Sequence, residues 1–354
     1  MMDQDIGAAL QQQVMHALQH ETPLNIVGSG SKAFLGHATE GQVIDVSVHN
    51  GIIAYDPCEL VLTARSGTPL TQIETALAEA NQMLPFEPPH FGDSATLGGT
   101  IACGLSGPRR PYSGSARDFV LGCQLLNGRG ELLRFGGQVM KNVAGYDASR
   151  LIAGAYGTLG ILLDVSLKVL PRPAASITVA RECSPAEAVE SMSGLLVRPL
   201  PVDAACYHGD HCYVRLSGSA QAVKEARSKI PGDVLPDAEK FWHALREQTL
   251  PFFRHSSTLY RVMVKPATPP LSIDGAWLLD WGGAQRWLYS DEDVAAIRHR
   301  VELVGGHVTV FRGGDRAGEI FQPLSAPLLA IQQRLKASFD PKNIFNRGRI
   351  YATL

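Results

Sequence analysis

The chain lacks an uninterrupted apolar run of the ~18 residues that a membrane-crossing helix needs. It lacks any Cys-x-x-Cys pair, so its six cysteines, at 58, 103, 123, 183, 206 and 212, do not read as a zinc ribbon or an iron–sulfur cluster. They read as reduced, mostly buried small apolar residues. Neither charge is in surplus: Lys plus Arg number 32 against 34 Asp plus Glu. That balance leaves no electrostatic footprint for nucleic acid or an acidic membrane surface, so binding is expected in local pockets. The start, Met-Met-Asp-Gln-Asp, is acidic where a secretory signal is basic, and the expected location is cytoplasmic. No internal repeat and no low-complexity tract interrupts the chain. The two common nucleotide fingerprints, Gly-x-Gly-x-x-Gly opening a helix and Gly-Lys followed by Ser or Thr, are also missing.

What is present is glycine. After the short apolar run Leu24-Asn25-Ile26-Val27 comes Gly28-Ser29-Gly30-Ser31-Lys32-Ala33-Phe34-Leu35-Gly36. The pattern reads as a strand ending in a turn whose glycines permit close backbone approach. Its successive N–H groups, with Ser29, Ser31 and Lys32, can converge on an anion. A plain hairpin closure is the alternative.

At 354 residues the chain has room for two cores. Ile6, Leu10, Val14 and Leu18 make an amphipathic first helix, and 43–46, 52–55 and 60–64 read as strands. Leu70, Ile73, Leu77 and Ala80 mark a helix started by Thr68 or Pro69; 119–126 and 131–135 are strands joined by Asn127-Gly128-Arg129-Gly130. Alternation of Ile161, Leu163, Val165, Leu167 and Val169 predicts a half-buried strand, ended by Pro171-Arg172-Pro173. A second α+β unit follows. Its first helix is signposted by Ser184-Pro185-Ala186-Glu187, a capping box with proline at the first helical position. Further strands are expected at 204–207, 213–216, 259–264 and 276–281, with helices near 219–229, 238–249 and after Ser290. Residues 328–339 form an amphipathic helix before Asp340-Pro341-Lys342-Asn343-Ile344-Phe345-Asn346-Arg347.

Three more glycine-rich segments lie in the first unit: Pro88-Pro89-His90 through Thr96-Leu97-Gly98-Gly99-Thr100, Ser113-Gly114-Ser115-Ala116-Arg117-Asp118, and Tyr156-Gly157-Thr158-Leu159-Gly160-Ile161. In this order, and with the terminal Asp-Pro-x-x-Ile-Phe-Asn, they resemble the PCMH-type FAD-binding (vanillyl-alcohol-oxidase) superfamily over the whole chain. The stretch Phe135-Gly136-Gly137 to Lys141-Asn142-Val143-Ala144-Gly145-Tyr146-Asp147 resembles its glycolate oxidase branch. The short length and Leu279-Asp280-Trp281-Gly282-Gly283-Ala284 resemble the second flavin subunit of that branch.

The resemblance implies an α+β fold: a two-subdomain PCMH-type FAD-binding domain at 1–172, a reduced α+β cap domain at 173–320, and a C-terminal segment, 321–354, that packs back on the FAD domain. It implies that residues 28–35 (Gly28, Ser29, Gly30, Ser31, Lys32, Ala33, Phe34, Leu35) form the pyrophosphate loop. Gly67, Thr68, Pro69 and Leu70 would turn near the isoalloxazine, with Pro89 close by. Thr96, Leu97, Gly98, Gly99 and Thr100, with Ser113 and Arg117, would hold the ribityl and diphosphate portions. Gly157, Thr158, Gly160 and Ile161 would face the adenine, and Asn346 would approach the flavin. The family usually has Pro-Gly after that asparagine; this chain has Arg347-Gly348. No His or Cys lies in the 28–36 loop, where some relatives attach FAD covalently, so FAD is expected to be non-covalent.

The resemblance also implies partners: a larger catalytic FAD subunit and an iron–sulfur subunit, acting together on glycolate, with any membrane contact made through the complex. Two other readings remain open, a self-sufficient FAD-dependent 2-hydroxy-acid dehydrogenase and a non-redox scaffold subunit. The catalytic candidates for the former are His90, as acid/base or a turn histidine; Arg109, as a carboxylate binder or a solvated loop residue; and Lys141 and Tyr146, near the flavin or in structural roles. His208-Gly209-Asp210-His211 is read as a polar turn, and no metal is expected, since nothing is placed to complete four ligands.

Overall fold

The computed structural model describes residues 3–137 and 148–354. Lys141 and Tyr146, and most of the stretch that resembles the glycolate oxidase branch, lie outside the described residues. Contacts divide the chain into two units: 1–105 with 115–171 and 323–354, and 106–114 with 172–322.

In the first unit α1 (Gly7–His20) buries Leu10, Val14 and Ala17. β1 (Leu24–Val27) and β2 (Gln42–Asp45) pair in parallel. β3 (Ile52–Asp56) and β4 (Val61–Arg65) are antiparallel. α2 (Leu70–Glu79) starts at Pro69 and buries Leu70, Ile73 and Leu77, the apolar spacing read in the sequence. After the two-residue β5 (Gln82–Met83) comes α3 (Leu97–Cys103), whose N-cap Thr96 accepts the Gly99 N–H. The chain then leaves the first unit: 106–114, including α4 (Arg110–Ser113), groups with the second. β6 (Val120–Leu126) and β7 (Leu132–Gly136), joined by the expected hairpin, precede α5 (Ala148–Ile152), β8 (Ile161–Lys168) and β9 (Leu170–Pro171).

Five of these strands form one sheet in the order β3-β4-β8-β6-β7. β8 corrects an expectation. Alternation predicted a half-buried strand, yet every residue from Ile161 to Leu167 is buried. The strand is central, and a register shift opposite Gln124 and Leu125 breaks its alternation. Ile161 and Leu163 therefore join the cluster around α1, while Leu162, Val165 and Leu167 join the one around α2 and α3. Its polar residues are buried with partners: Ser166 Oγ lies 2.8 Å from Thr63 Oγ1, and Asp164 accepts from Arg134 at 3.3 Å.

The second unit is an eight-stranded antiparallel sheet. Its elements are β10 (Ala175–Glu182), α6 (Pro185–Leu195), β11 (Val202–His208), β12 (His211–Gly218), α7 (Ala220–Arg227), β13 (Asp233–Val234) and α8 (Ala238–Arg246). β14 (Leu259–Met263), β15 (Ala276–Asp280), β16 (Gln285–Tyr289), α9 (Val294–Glu302) and β17 (His307–Arg312) complete it. The capping box of α6 is present, with Ser184 and Glu187 bonded in both directions. His208 and His211 are opposed across the β11–β12 hairpin, so their four-residue run is its turn.

The chain then returns to the first unit with α10 (Ala326–Phe339). Phe339 O accepts from Gly128 N at 2.9 Å, so the β6–β7 hairpin seats the end of this helix. Residues 344–346 run beside β1, with Leu24 N donating to Ile344 O and Asn346 N to Leu24 O.

Candidate functional site

A hollow of about 1050 Å³, counted to its open mouth, lies within the first unit. Its floor begins where β1 ends. Val27 hands over to a turn in which Ala33 N donates to Gly30 O and Leu35 N to Lys32 O, leaving residues 28–33 along the cavity. Gly28 must be small because a Cβ there would lie 2.8 Å from Thr96 Oγ1. Opposite stands α3, whose lining residues Gly98, Gly99, Ala102 and Cys103 recur at helical spacing. The third wall runs from Tyr156 to Leu162, above Ile152 and Ala155 of the preceding segment. There Gly157 sits at φ +73°, where a Cβ would be 2.7 Å from Asn346 Nδ2.

The C-terminal segment ties these walls together. Asn346 Oδ1 accepts from Ile26 N at 2.8 Å while its Nδ2 donates to Tyr156 O at 2.7 Å. Arg349 donates to Ala33 O at 3.1 Å and His37 O at 2.8 Å, and its side chain lines the hollow. Arg347, the departure from the family pattern, bonds instead to the carbonyls of Asn343 and Lys342. Lys32 is buried in the floor, its Nζ 3.1 Å from His90 O and 3.4 Å from Ser31 Oγ. Burial pushes the Cys103 thiol up to about 11, against the lowering pull of Lys32 and Arg349.

Thirteen of the residues proposed from sequence line this space: Gly28 through Ala33, Thr96, Gly98, Gly99, Gly157, Gly160, Ile161 and Asn346. The others stand behind it or elsewhere. Leu35 is in the core, and the Phe34 ring packs edge-on to Phe91. Gly67, Thr68, Pro69 and Leu70 act as a brace: Thr68 O accepts from Leu97 N, and Leu70 N donates to Ala95 O, which fixes the start of α3. Thr68 Oγ1 is itself bonded to Gly51. Leu97, Thr100, Thr158 and Pro89 are buried outside the lining. Ser113 belongs to the second unit, where its Oγ bonds Arg109 O, and Arg117 is exposed.

Of the catalytic candidates within the described residues, neither His90 nor Arg109 lines the hollow. His90 Nε2 lies 3.1 Å from Glu74 Oε1, and its backbone carbonyl accepts from Lys32, a lining residue. Arg109 is in the second unit, ion-paired with Asp203, which also pairs with Arg215. Sequence reasoning missed Ser66, Cys103, Tyr156 and Arg349 among the lining residues. Cys103 is legible as the last of the small residues on one helical face; Arg349 follows Asn346 by three, outside the family pattern that ends at Asn346.

The lining suits a large, anionic, partly apolar group. Among the described lining residues there are two cations, Lys32 and Arg349, and no carboxylate or imidazole. Ser66 Oγ, 1% exposed as a residue, finds no hydrogen-bond partner among the described residues and faces a wall of this space. A glycine-floored turn with cations beside it fits a diphosphate, and Ile26, Val46, Ile152, Leu159 and Leu162 supply apolar surface for rings. Among the described residues no three His, Cys, Asp or Glu gather as a metal site, and no helix is long and apolar enough to cross a membrane.

Comparison with known proteins points the same way. The chain matches the FAD binding domain family over residues 8–136. It is 51% identical over 350 residues to the glycolate oxidase subunit GlcE of Escherichia coli (strain K12), covering 99% of each chain. It is 33% identical over 157 residues to the glycolate oxidase subunit GlcD of Bacillus subtilis (strain 168), covering 44% of this chain and 33% of that one. Among solved structures, an alkyldihydroxyacetonephosphate synthase superposes with a TM-score of 0.66 over 96% of this chain and 75% of that one; at 14% identity this is a likeness of fold. The cofactor is FAD, the group the hollow fits. Identity along nearly the full length of both chains places this protein in one family: it belongs to the GlcE family of FAD-binding glycolate oxidase subunits.

Proposed function

We propose that this chain is the electron-transferring FAD subunit of a multisubunit enzyme that oxidises glycolate to glyoxylate, with substrate oxidation on a larger flavin subunit and onward transfer through an iron–sulfur subunit. One observation carries this reading: the described lining of the FAD hollow holds two cations and backbone donors but no carboxylate or imidazole to take the proton of a hydroxy acid. His90 is engaged with Glu74 and Arg109 with Asp203, so neither of these two candidates supports a self-sufficient dehydrogenase.

Bound FAD supplies one- and two-electron chemistry. The chain's own residues bind and orient it: the glycine turn that begins at Gly28, with Lys32 and Arg349, holds the diphosphate, and Ser66 and the small face of α3 take the middle of the cofactor. Tyr156 to Leu162 cover a ring. Attachment is non-covalent, since Cys103 is the single thiol among the described lining residues and its burial keeps it protonated. The GlcE and GlcD names of the relatives support assembly with a second flavin subunit.

The test is reconstitution. Purified chain should retain about one FAD released intact by acid precipitation, and should reduce an artificial acceptor with glycolate only after a GlcD-type subunit and an iron–sulfur subunit are added. Bleaching of the isolated chain's flavin by glycolate would overturn the electron-transfer reading in favour of a self-sufficient dehydrogenase.

A further inference from the structure

Lys336 is buried on the last turn of α10, well removed in sequence from every glycine loop. An ammonium has three N–H donors, and all three are used. Nζ donates to Thr158 O at 2.7 Å, to Asp340 Oδ2 at 2.7 Å and to Phe345 O at 2.8 Å. Asp340, 1% exposed, in turn accepts from Ile344 N and Phe345 N. One lysine therefore joins the end of α10, the strand-like 344–346 and the Tyr156–Ile161 wall of the hollow.

Ten and thirteen residues beyond Lys336, the same segment grips again. Asn346 holds Tyr156 O and Ile26 N, and Arg349 holds Ala33 O and His37 O. The C-terminal segment thus grasps both the phosphate-loop wall and the 156–161 wall, through the carbonyls of Ala33, Tyr156 and Thr158 and the N–H of Ile26. Burial lowers the Lys336 pKa while Asp340 opposes the shift, the balance expected of a charged pair held for geometry.

We propose that residues 326–349 form a cofactor latch with Lys336 as its positioning residue: docking of this segment and retention of FAD are thermodynamically coupled, each strengthening the other. The inference rests on FAD occupying the hollow. Coupling is reciprocal, so whatever the segment contributes to FAD affinity, FAD must return as protection of the segment.

The wild-type chain, stripped of FAD and reloaded, allows a test without mutation. Trypsin can cut after Arg334 and Lys342, both exposed on the segment, and after Lys224 and Lys229, exposed in the second unit. FAD should slow cutting at the first pair at least about tenfold and leave the second pair unchanged. The variant Lys336→Met/Asp340→Asn removes the clasp without stranding a buried charge. It should bind FAD about tenfold more weakly by fluorescence titration, equivalent to about 1.4 kcal/mol, and its segment should be cut at the same rate with and without FAD. Equal cutting of the wild-type segment in both states, or a double variant that keeps affinity within about twofold together with full protection, overturns the latch. If the wild type binds no FAD at all, the cofactor reading falls, and the latch with it.

Discussion

Each unit buries a cation against backbone carbonyls, and the two do so to different ends. In the second unit Arg286, 1% exposed, donates to Gly283 O at 3.0 Å, Pro269 O at 2.9 Å and Thr268 O, and burial lowers its pKa to about 10. Nearby charges are spent on one another: Arg109 and Arg215 on Asp203, and Asp280 on Trp281 N and Gln285. In the first unit Lys336 plays the same mechanical part, but what it steadies is the wall of a hollow whose floor carries Lys32 and the N–H groups of 28–33. A buried cation alone therefore says nothing about ligands. What separates the units is whether the atoms around the cation face the protein or a space.

The strongest way to break this comparison is to fill the space. Gly157→Val combines a left-handed backbone that valine resists with a Cβ 2.7 Å from Asn346 Nδ2. We expect a stability loss of roughly 2–4 kcal/mol and at least about a hundredfold loss of FAD affinity. Gly209→Val in the second unit has φ +56° but nothing within 4 Å of its Cβ, so it should cost about 1–2 kcal/mol and leave FAD untouched. Flavin absorbance per protein after gel filtration reads both. Retention by the Gly157 variant would show that this wall does not face the cofactor.

Next in size is Arg286→Met. It strands three carbonyls and should lower unfolding stability by about 3 kcal/mol in denaturant titration. The FAD dissociation constant should stay within about twofold, because no atom of Arg286 reaches the first unit's hollow. A parallel loss of FAD affinity would mean the two units are energetically one.

How much of this was legible in the sequence follows from the range of each signal. The α6 capping box spans four residues and is legible locally, as is the β6–β7 hairpin from Asn127-Gly128-Arg129-Gly130. The glycine loops named the floor and both walls of the hollow. β8 was misjudged because alternation reports one buried face, whereas a bulge and a central position buried both. The assignment of 106–114 to the second unit depends on contacts such as Trp281 Nε1 to Gly107 O, 174 residues apart, which no local pattern announces. Lys336 was hidden for the same reason: in sequence it is a lysine on an amphipathic helix, and only Thr158, 178 residues away, reveals its use. Gly30 and Gly157 look alike in sequence, yet a Cβ on Gly30 meets nothing within 4 Å, so its constraint is φ +75° alone and Gly157 is the sharper lever.

The smallest expected effect is a pH dependence, and it tests whether the first unit is tuned apart from its hollow. His49, 3% exposed, accepts the Ile6 N–H on Nδ1 at 3.1 Å, a bond that requires the neutral ring. Burial lowers its pKa below the ordinary 6.5; Asp5 and Asp164 pull it back up, and Arg65 pushes it further down. The unfolded chain therefore takes up the proton first as pH falls. Stability from this residue is complete above the ordinary histidine value and is lost as pH drops from there through the folded pKa, with a slope of at most about 1.4 kcal/mol per pH unit. His49→Gln should flatten the fall in melting temperature between about pH 6.5 and 5. It should not abolish it, because burial also lowers His208 and His307 in the second unit. FAD affinity at neutral pH should be unchanged, since His49 does not line the hollow. An unaltered slope in the variant would mean that the buried ring carries no proton linkage.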